Sequence, residues 1–156
     1  MNRIKSFTIN HNLLMPGFYI SREDGDVITY DLRTRKPNAG DYMDNATMHS
    51  LEHMFATYIR NSRMGNEVVY FGPMGCRTGF YLILAGDYKS EDIVDLMISM
   101  FEFIRHYHDP IPGANPRECG NYQDMNLNMA NYLAEKFLKE VLYNIGAVSY
   151  THLRAH

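Results

Sequence analysis

Apolar positions change their spacing several times along this chain, and each change predicts an element. Met48, Leu51, Phe55 and Ile59 recur at intervals of three and four. That is the stripe of one buried helix face. It predicts a helix that Asp44 or Asn45 can cap, that runs to about Arg63, and that stops at Gly65. Ile93, Leu96, Met97, Met100, Phe101 and Ile104 predict a second helix to about Tyr107. Ser90 would cap it, with Glu91 and Asp92 in its first turn. Leu127, Ala130, Leu133, Phe137 and Val141 predict a third helix, from about Asn126 to Tyr143.

Elsewhere the pattern is that of strands. Gly17 to Arg22, the turn Glu23-Asp24-Gly25-Asp26, and the β-branched and aromatic run Val27 to Arg33 together predict a hairpin. Glu67 to Phe71 and Arg77 to Ala85 predict two more strands around Gly72-Pro73-Met74-Gly75-Cys76. Residues 1–16 read as an irregular lead, and the proline-rich run Pro110 to Pro116 as a loop. No internal repeat and no long linker divides the chain. Residues 1–146 are therefore expected to form one domain. Residues 147–156 carry no clear period and are expected to be a non-native or disordered tail.

Composition narrows the class. The chain has 156 residues, 46% of them hydrophobic and 21% charged, as in a soluble globular domain. A net charge of −3 and a pI near 6.1 give no reason to expect a nucleic-acid partner. Met1 to Phe7 lacks the apolar run of a signal peptide. The longest apolar stretch, Phe80 to Ala85, is too short to span a bilayer. A cytoplasmic protein with no membrane partner is expected. Cys76 and Cys119 are then expected to be free thiols suited to metal or redox chemistry rather than a disulfide.

The chemistry gathers on the first predicted helix. His49-Ser50-Leu51-Glu52-His53 puts two imidazoles four residues apart, hence on one helix face, able to bind one metal ion. Glu52 is near enough to handle a proton there, and His-x-x-Glu-His is the inverzincin order. A catalytic metal site keeps three protein ligands and an open position. His49, His53 and Cys119, which sits just before the third helix, make such a set. Two imidazoles and a thiolate suit zinc or ferrous iron better than magnesium or calcium. Cys76 lies on a tight glycine- and proline-fixed loop with room beside it for a ligand, and a nearby cation would favour its thiolate. Arg33 falls near a strand end, where it can face a pocket or simply stand in solvent.

Several segments together resemble the S-ribosylhomocysteine lyase (LuxS) family. They are Ser6-Phe7 with His11, Asp31-Leu32-Arg33 with Pro37-Asn38, the His49 to His53 motif, Gly65-Asn66, Pro73 to Tyr81, and Cys119-Gly120. The resemblance implies an α+β fold, an antiparallel β-sheet packed against helices, and a homodimer formed through the sheets with an active site between the chains. It implies conversion of S-ribosylhomocysteine to homocysteine and 4,5-dihydroxy-2,3-pentanedione, the autoinducer-2 precursor, as part of the methyl cycle. The implied cofactor is Fe2+, with Zn2+ or Co2+ possible, on His49, His53 and Cys119. Cys76 and Glu52 match the family's acid/base groups, and Ser6, His11 and Arg33 its substrate-binding residues. The chain departs from the family at Tyr70, where several relatives carry an aspartate that helps line the substrate pocket, at Asn10, where aspartate is common, and at Met125, where histidine is frequent. Two other readings compete: a metallopeptidase of the His-x-x-Glu-His type, and a non-catalytic relative that binds metal.

Overall fold

In the computed structural model the described residues are 1–4 and 7–145. Ser6 and the expected tail at 147–156 lie outside them. The architecture is α+β: a four-stranded antiparallel sheet and three α-helices. The strands are β1 (Gly17–Asp24), β2 (Val27–Arg33), β3 (Val68–Pro73) and β4 (Gly79–Ala85), in the order β1-β2-β4-β3. The helices are α1 (Asn45–Arg60), α2 (Ser90–Arg105) and α3 (Leu127–Glu140). No helix among the described residues is long and apolar enough to cross a membrane.

Side chains alternate across a strand, and the sheet divides its chemistry accordingly. Tyr30 and Leu32 on β2, and Phe80, Leu82 and Leu84 on β4, join the hydrophobic core with Phe18 and Phe71. Phe55 of α1 meets Phe71, Phe80 and Phe101 edge-on or tilted, with ring centroids 5.1, 5.3 and 4.8 Å away. The intervening residues Asp31, Arg33 and Tyr81 therefore stand on the sheet face away from the helices.

Several boundaries differ from expectation for local reasons. Asp44 is the cap of α1: its carboxylate accepts from the Thr47 amide and hydroxyl, both at 2.8 Å. The helix ends at Arg60 rather than Arg63. Gly65 lies beyond that end in a 3-10 turn, where a Cβ would strike the Arg60 carbonyl oxygen. Close approach explains that glycine, not a left-handed helix stop. Ser90 is the first residue of α2 rather than its cap; Lys89 holds the cap position without a side-chain hydrogen bond. β4 begins at Gly79 because Arg77 and Thr78 close the hairpin, with Arg77 at φ 63°. α3 stops at Glu140, where Val141 leaves helical geometry and a 3-10 turn follows.

Candidate metal centre and a neighbouring thiol

Helix α1 presents its apolar stripe to the core, which leaves His49 and His53 half-buried at the stripe's margin. Their rings stand edge to face, 4.7 Å apart between centroids. The Nδ1 of His49 lies 2.9 Å from the Asp124 carbonyl oxygen, and that of His53 lies 2.8 Å from the Pro112 carbonyl oxygen. A carbonyl only accepts, so each Nδ1 carries a hydrogen, and in the neutral ring that leaves the lone pair on Nε2. Gly113 makes the second contact possible. It adopts φ +73°, and a Cβ there would press on the His53 ring.

Cys119 reaches this pair from the segment between α2 and α3. Asn115 shapes the approach: its side-chain oxygen accepts from the Arg117 and Glu118 amides, and its carbonyl accepts from Cys119 N at 3.1 Å. The sulfur lies 3.4 Å from His49 Nε2 and accepts from the Asn121 amide at 3.4 Å. One donor atom from each of His49, His53 and Cys119 lies within 4.8 Å of the others. Donors on a tetrahedral ion with bonds of about 2.0–2.3 Å stand roughly 3.3–3.8 Å apart. The His49–Cys119 pair already stands at that spacing, and the set would draw in by up to about 1 Å to share one ion. Two imidazoles and one sulfur are the donor chemistry of a transition-type cation, and three such ligands would leave a coordination position open. Glu52, half-buried on the same helix, has no hydrogen-bond or ion-pair partner among the described residues.

Ser50, between the histidines, ties the centre to the rest of the fold. Its buried hydroxyl donates to the Ala46 carbonyl and accepts from the Asn126 amide, each at 2.7 Å. Asn126 caps α3 by accepting from Met129 N. The end of the Cys119 segment is therefore pinned to α1 at residue 124 through His49 and at residue 126 through Ser50. Met125, between the two pins, packs its sulfur 3.6 Å from the serine hydroxyl.

A second group forms on the outer sheet face. Arg33 is 2% exposed and Asp31 is 0% exposed. Arg33 Nε and Nη2 donate to the two Asp31 oxygens at 3.1 and 2.6 Å. Its Nη1 donates to Thr78 Oγ1 at 2.7 Å and lies 4.0 Å from Cys76 Sγ. The loop between β3 and β4 presents this exposed thiol, closed by Met74 N to Gly79 O at 2.9 Å. Asp31 sits in register between Tyr19 and Tyr81. Burial pushes its carboxyl up; the hydrogen bonds and charge of Arg33, and the charge of nearby His11, pull the other way. Both tyrosines are raised, first by burial and then by the Asp31 charge.

The expected residues thus fall into two sets. His49, His53 and Cys119 come together, with Glu52 on the same helix. Cys76 and Arg33 come together, with His11 close enough to act on Asp31 electrostatically. Among the described residues no hydrogen bond bridges the two sets. Ser6 lies outside the described residues. Tyr70 is exposed on β3, and its ring lies over Gly72, whose lack of a side chain makes the room. Asn10 accepts the Asn12 amide at 3.1 Å, a turn contact that an aspartate oxygen would serve equally. The roles of Thr78, Ser50 and the Asp124 and Pro112 carbonyls were not visible in the sequence. Ser50 lies within the His49 to His53 motif and Thr78 within Pro73 to Tyr81, yet only folding shows what their hydroxyls touch.

Comparison with known proteins gives the family. The family model described as S-Ribosylhomocysteinase (LuxS) matches residues 4–148. A protein of Finegoldia magna named S-ribosylhomocysteine lyase is 56% identical over 149 residues, covering 93% of this chain and 94% of its own. Proteins of the same name from Clostridium beijerinckii and Borreliella burgdorferi are 54% and 51% identical over 150 residues. Each covers 93% of this chain, with 94% and 95% of their own lengths matched. With a match along nearly its whole length and the half-buried donor set in place, this chain belongs to the S-ribosylhomocysteinase (LuxS) family.

Proposed function

We propose that this chain is a metal-dependent carbon–sulfur lyase that cleaves S-ribosylhomocysteine to homocysteine and 4,5-dihydroxy-2,3-pentanedione. The observation that carries the reading is the meeting of His49, His53 and Cys119, with an uncommitted carboxylate on the same helix. The names of its relatives supply the substrate. His49, His53 and Cys119 would hold ferrous iron, with zinc or cobalt able to substitute. When bound, the metal acts as a Lewis acid on the sugar oxygens.

The thioether carbon of the substrate is C5 of the ribose, too far from the C1 aldehyde for direct elimination. Two carbonyl shifts, from C1 to C2 and from C2 to C3, make the C4 proton acidic. Loss of that proton breaks the C5–S bond, and homocysteine leaves with a proton on sulfur. Each shift removes a proton from one carbon and returns one to its neighbour. Glu52 and Cys76 are the groups proposed to carry these protons. Arg33, His11 and Ser6 are proposed to orient the substrate; Asp31 holds the Arg33 fork rigid for that task.

The two residue sets are proposed to be completed between two protomers, paired through the outer sheet face. The N-terminal segment supports this: Ile4, Phe7, Leu13 and Met15 are 56%, 64%, 76% and 52% exposed, an apolar surface suited to a second copy. A metallopeptidase would use the helix motif but leave the Cys76, Thr78 and Arg33 group without work. The test is release of free thiol from S-ribosylhomocysteine by protein loaded anaerobically with ferrous iron or cobalt. Cys76→Ala and Glu52→Gln should each keep metal and lose turnover. No thiol release from a fully metallated, dimeric sample would overturn the reading.

A further inference from the structure

Thr78 makes two contacts that fix the direction of its hydroxyl hydrogen. A guanidinium has donors and no acceptor, so the 2.7 Å contact from Arg33 Nη1 makes Thr78 Oγ1 the acceptor. The one hydrogen of that hydroxyl must then go elsewhere, and Cys76 Sγ stands 3.0 Å away. Thr78 is buried, so water does not compete for it. We propose that Thr78 is a positioning residue, which takes one hydrogen bond from Arg33 and hands its own hydrogen to the Cys76 sulfur. Asp31 aims the system: with Nε and Nη2 engaged on the carboxylate, the third nitrogen faces Thr78 and the thiol.

A sulfur that accepts a hydroxyl hydrogen is held in one rotamer and favoured as thiolate, the form that takes a proton from carbon. Of the charged and titratable groups near it, Arg33 from β2 lies 4.0 Å from the sulfur and Tyr81 from β4 feels its charge, while Asp31 pairs with Arg33, Tyr19 from β1 feels the Asp31 charge, and His11 acts on Asp31. Of these, Arg33 is the only group among the described residues seen to contact both Thr78 and the sulfur. The relay runs Asp31, Arg33, Thr78, Cys76, and Thr78 is its link to sulfur. The proposal takes Cys76 as the proton-carrying thiol of the reaction proposed above.

The test reads the thiol directly. Zinc-loaded protein, in which Cys119 is engaged, is alkylated with iodoacetamide across pH 5.5–9.5, and the Cys76 peptide is followed by mass spectrometry. Thr78→Ser keeps the hydroxyl and should reproduce the wild-type pH–rate profile. Thr78→Val keeps the shape without the hydroxyl; its profile should move up by about one pH unit, roughly a fivefold slower reaction at the wild-type midpoint and roughly tenfold well below it. Thr78→Ala serves the same purpose if the valine protein does not fold. A folded, zinc-bound valine or alanine variant whose profile overlays the wild type overturns the proposal, as does a serine variant displaced like valine. If the displacement is found in a protein that releases no thiol from S-ribosylhomocysteine, the lyase reading falls and the Thr78 relay stands.

Discussion

Replacing Ser50 with alanine tests whether the candidate metal centre is held by the fold or would be assembled by the ion. The serine hydroxyl spans α1 and the start of α3, accepting from Asn126 N and donating to Ala46 O. Losing the donated bond matters little, since the Ala46 carbonyl still accepts the helical amide four residues on. Losing the acceptor is different. The Asn126 amide has no other partner among the described residues and sits against a buried site. An orphaned buried donor costs about 1–3 kcal/mol. For a domain of this size a loss of about 2 kcal/mol lowers the thermal midpoint by roughly 4–8 °C. The same tether, with the bond from His49 to Asp124 O, brackets the end of the segment that begins at Cys119. Ser50→Ala should therefore weaken zinc binding about tenfold, equivalent to about 1.4 kcal/mol. Competition with a chromophoric chelator measures the affinity, and the thiolate-to-cobalt absorption band of the Co2+ form reports whether Cys119 still binds. A variant that loses the expected stability yet binds zinc within twofold of wild type would refute the claim that this tether places Cys119.

Two further substitutions probe the same helix from its end and its core. Asp44→Ala should cost about 1 kcal/mol at pH 7, the usual worth of a helix cap. Backbone hydrogen bonding from Thr47 holds the Asp44 carboxyl below its ordinary range. Its contribution is thus present above the unfolded value near 4 and fades as pH falls through the folded value. Urea denaturation at pH 7 and pH 3.5 should show the cost shrinking in acid, and an equal cost at both would count against it. Phe55→Ala removes the ring that meets Phe71, Phe80 and Phe101 and should cost about 3–5 kcal/mol; a loss under 1 kcal/mol in the same assay would mean the core does not rest on this ring.

What the sequence reveals depends on whether the information is local. The stripe Met48, Leu51, Phe55, Ile59 predicts α1, because burial of one helix face leaves a repeat that can be counted. The β1–β2 hairpin is equally legible: Gly25 adopts φ +60° in the turn between the two strands. The pairing of β2 with β4 is not, since the strand order skips β3 and nothing in either strand names its neighbour. The three donors could be chosen by residue type and spacing. Their orientation could not, because the groups that fix both imidazoles are the backbone carbonyls of Pro112 and Asp124, which every residue possesses. Ser90 misleads for a related reason: it looks like a cap, but the backbone turns one residue earlier, at Lys89.

The placement of chemistry beside core residues has a single physical origin. Leu51 and Met54 are buried, and Glu52 and His53 lie between them on α1. Leu32 is buried on one face of β2, and Asp31 and Arg33 flank it on the other. In both elements the apolar residue sets the orientation that its polar neighbours take, through a rotation of about 100° per residue in the helix and a face-to-face alternation in the strand. The Asp31–Arg33 pair is the clearest consequence. Two charges removed from water are weak contributors to stability even when well paired, and burial already pushes the Asp31 carboxyl up. Stability alone therefore gives little reason to bury them. What the pair does supply is direction: a guanidinium locked on two sides presents its third nitrogen to Thr78 and Cys76 and to nothing else among the described residues.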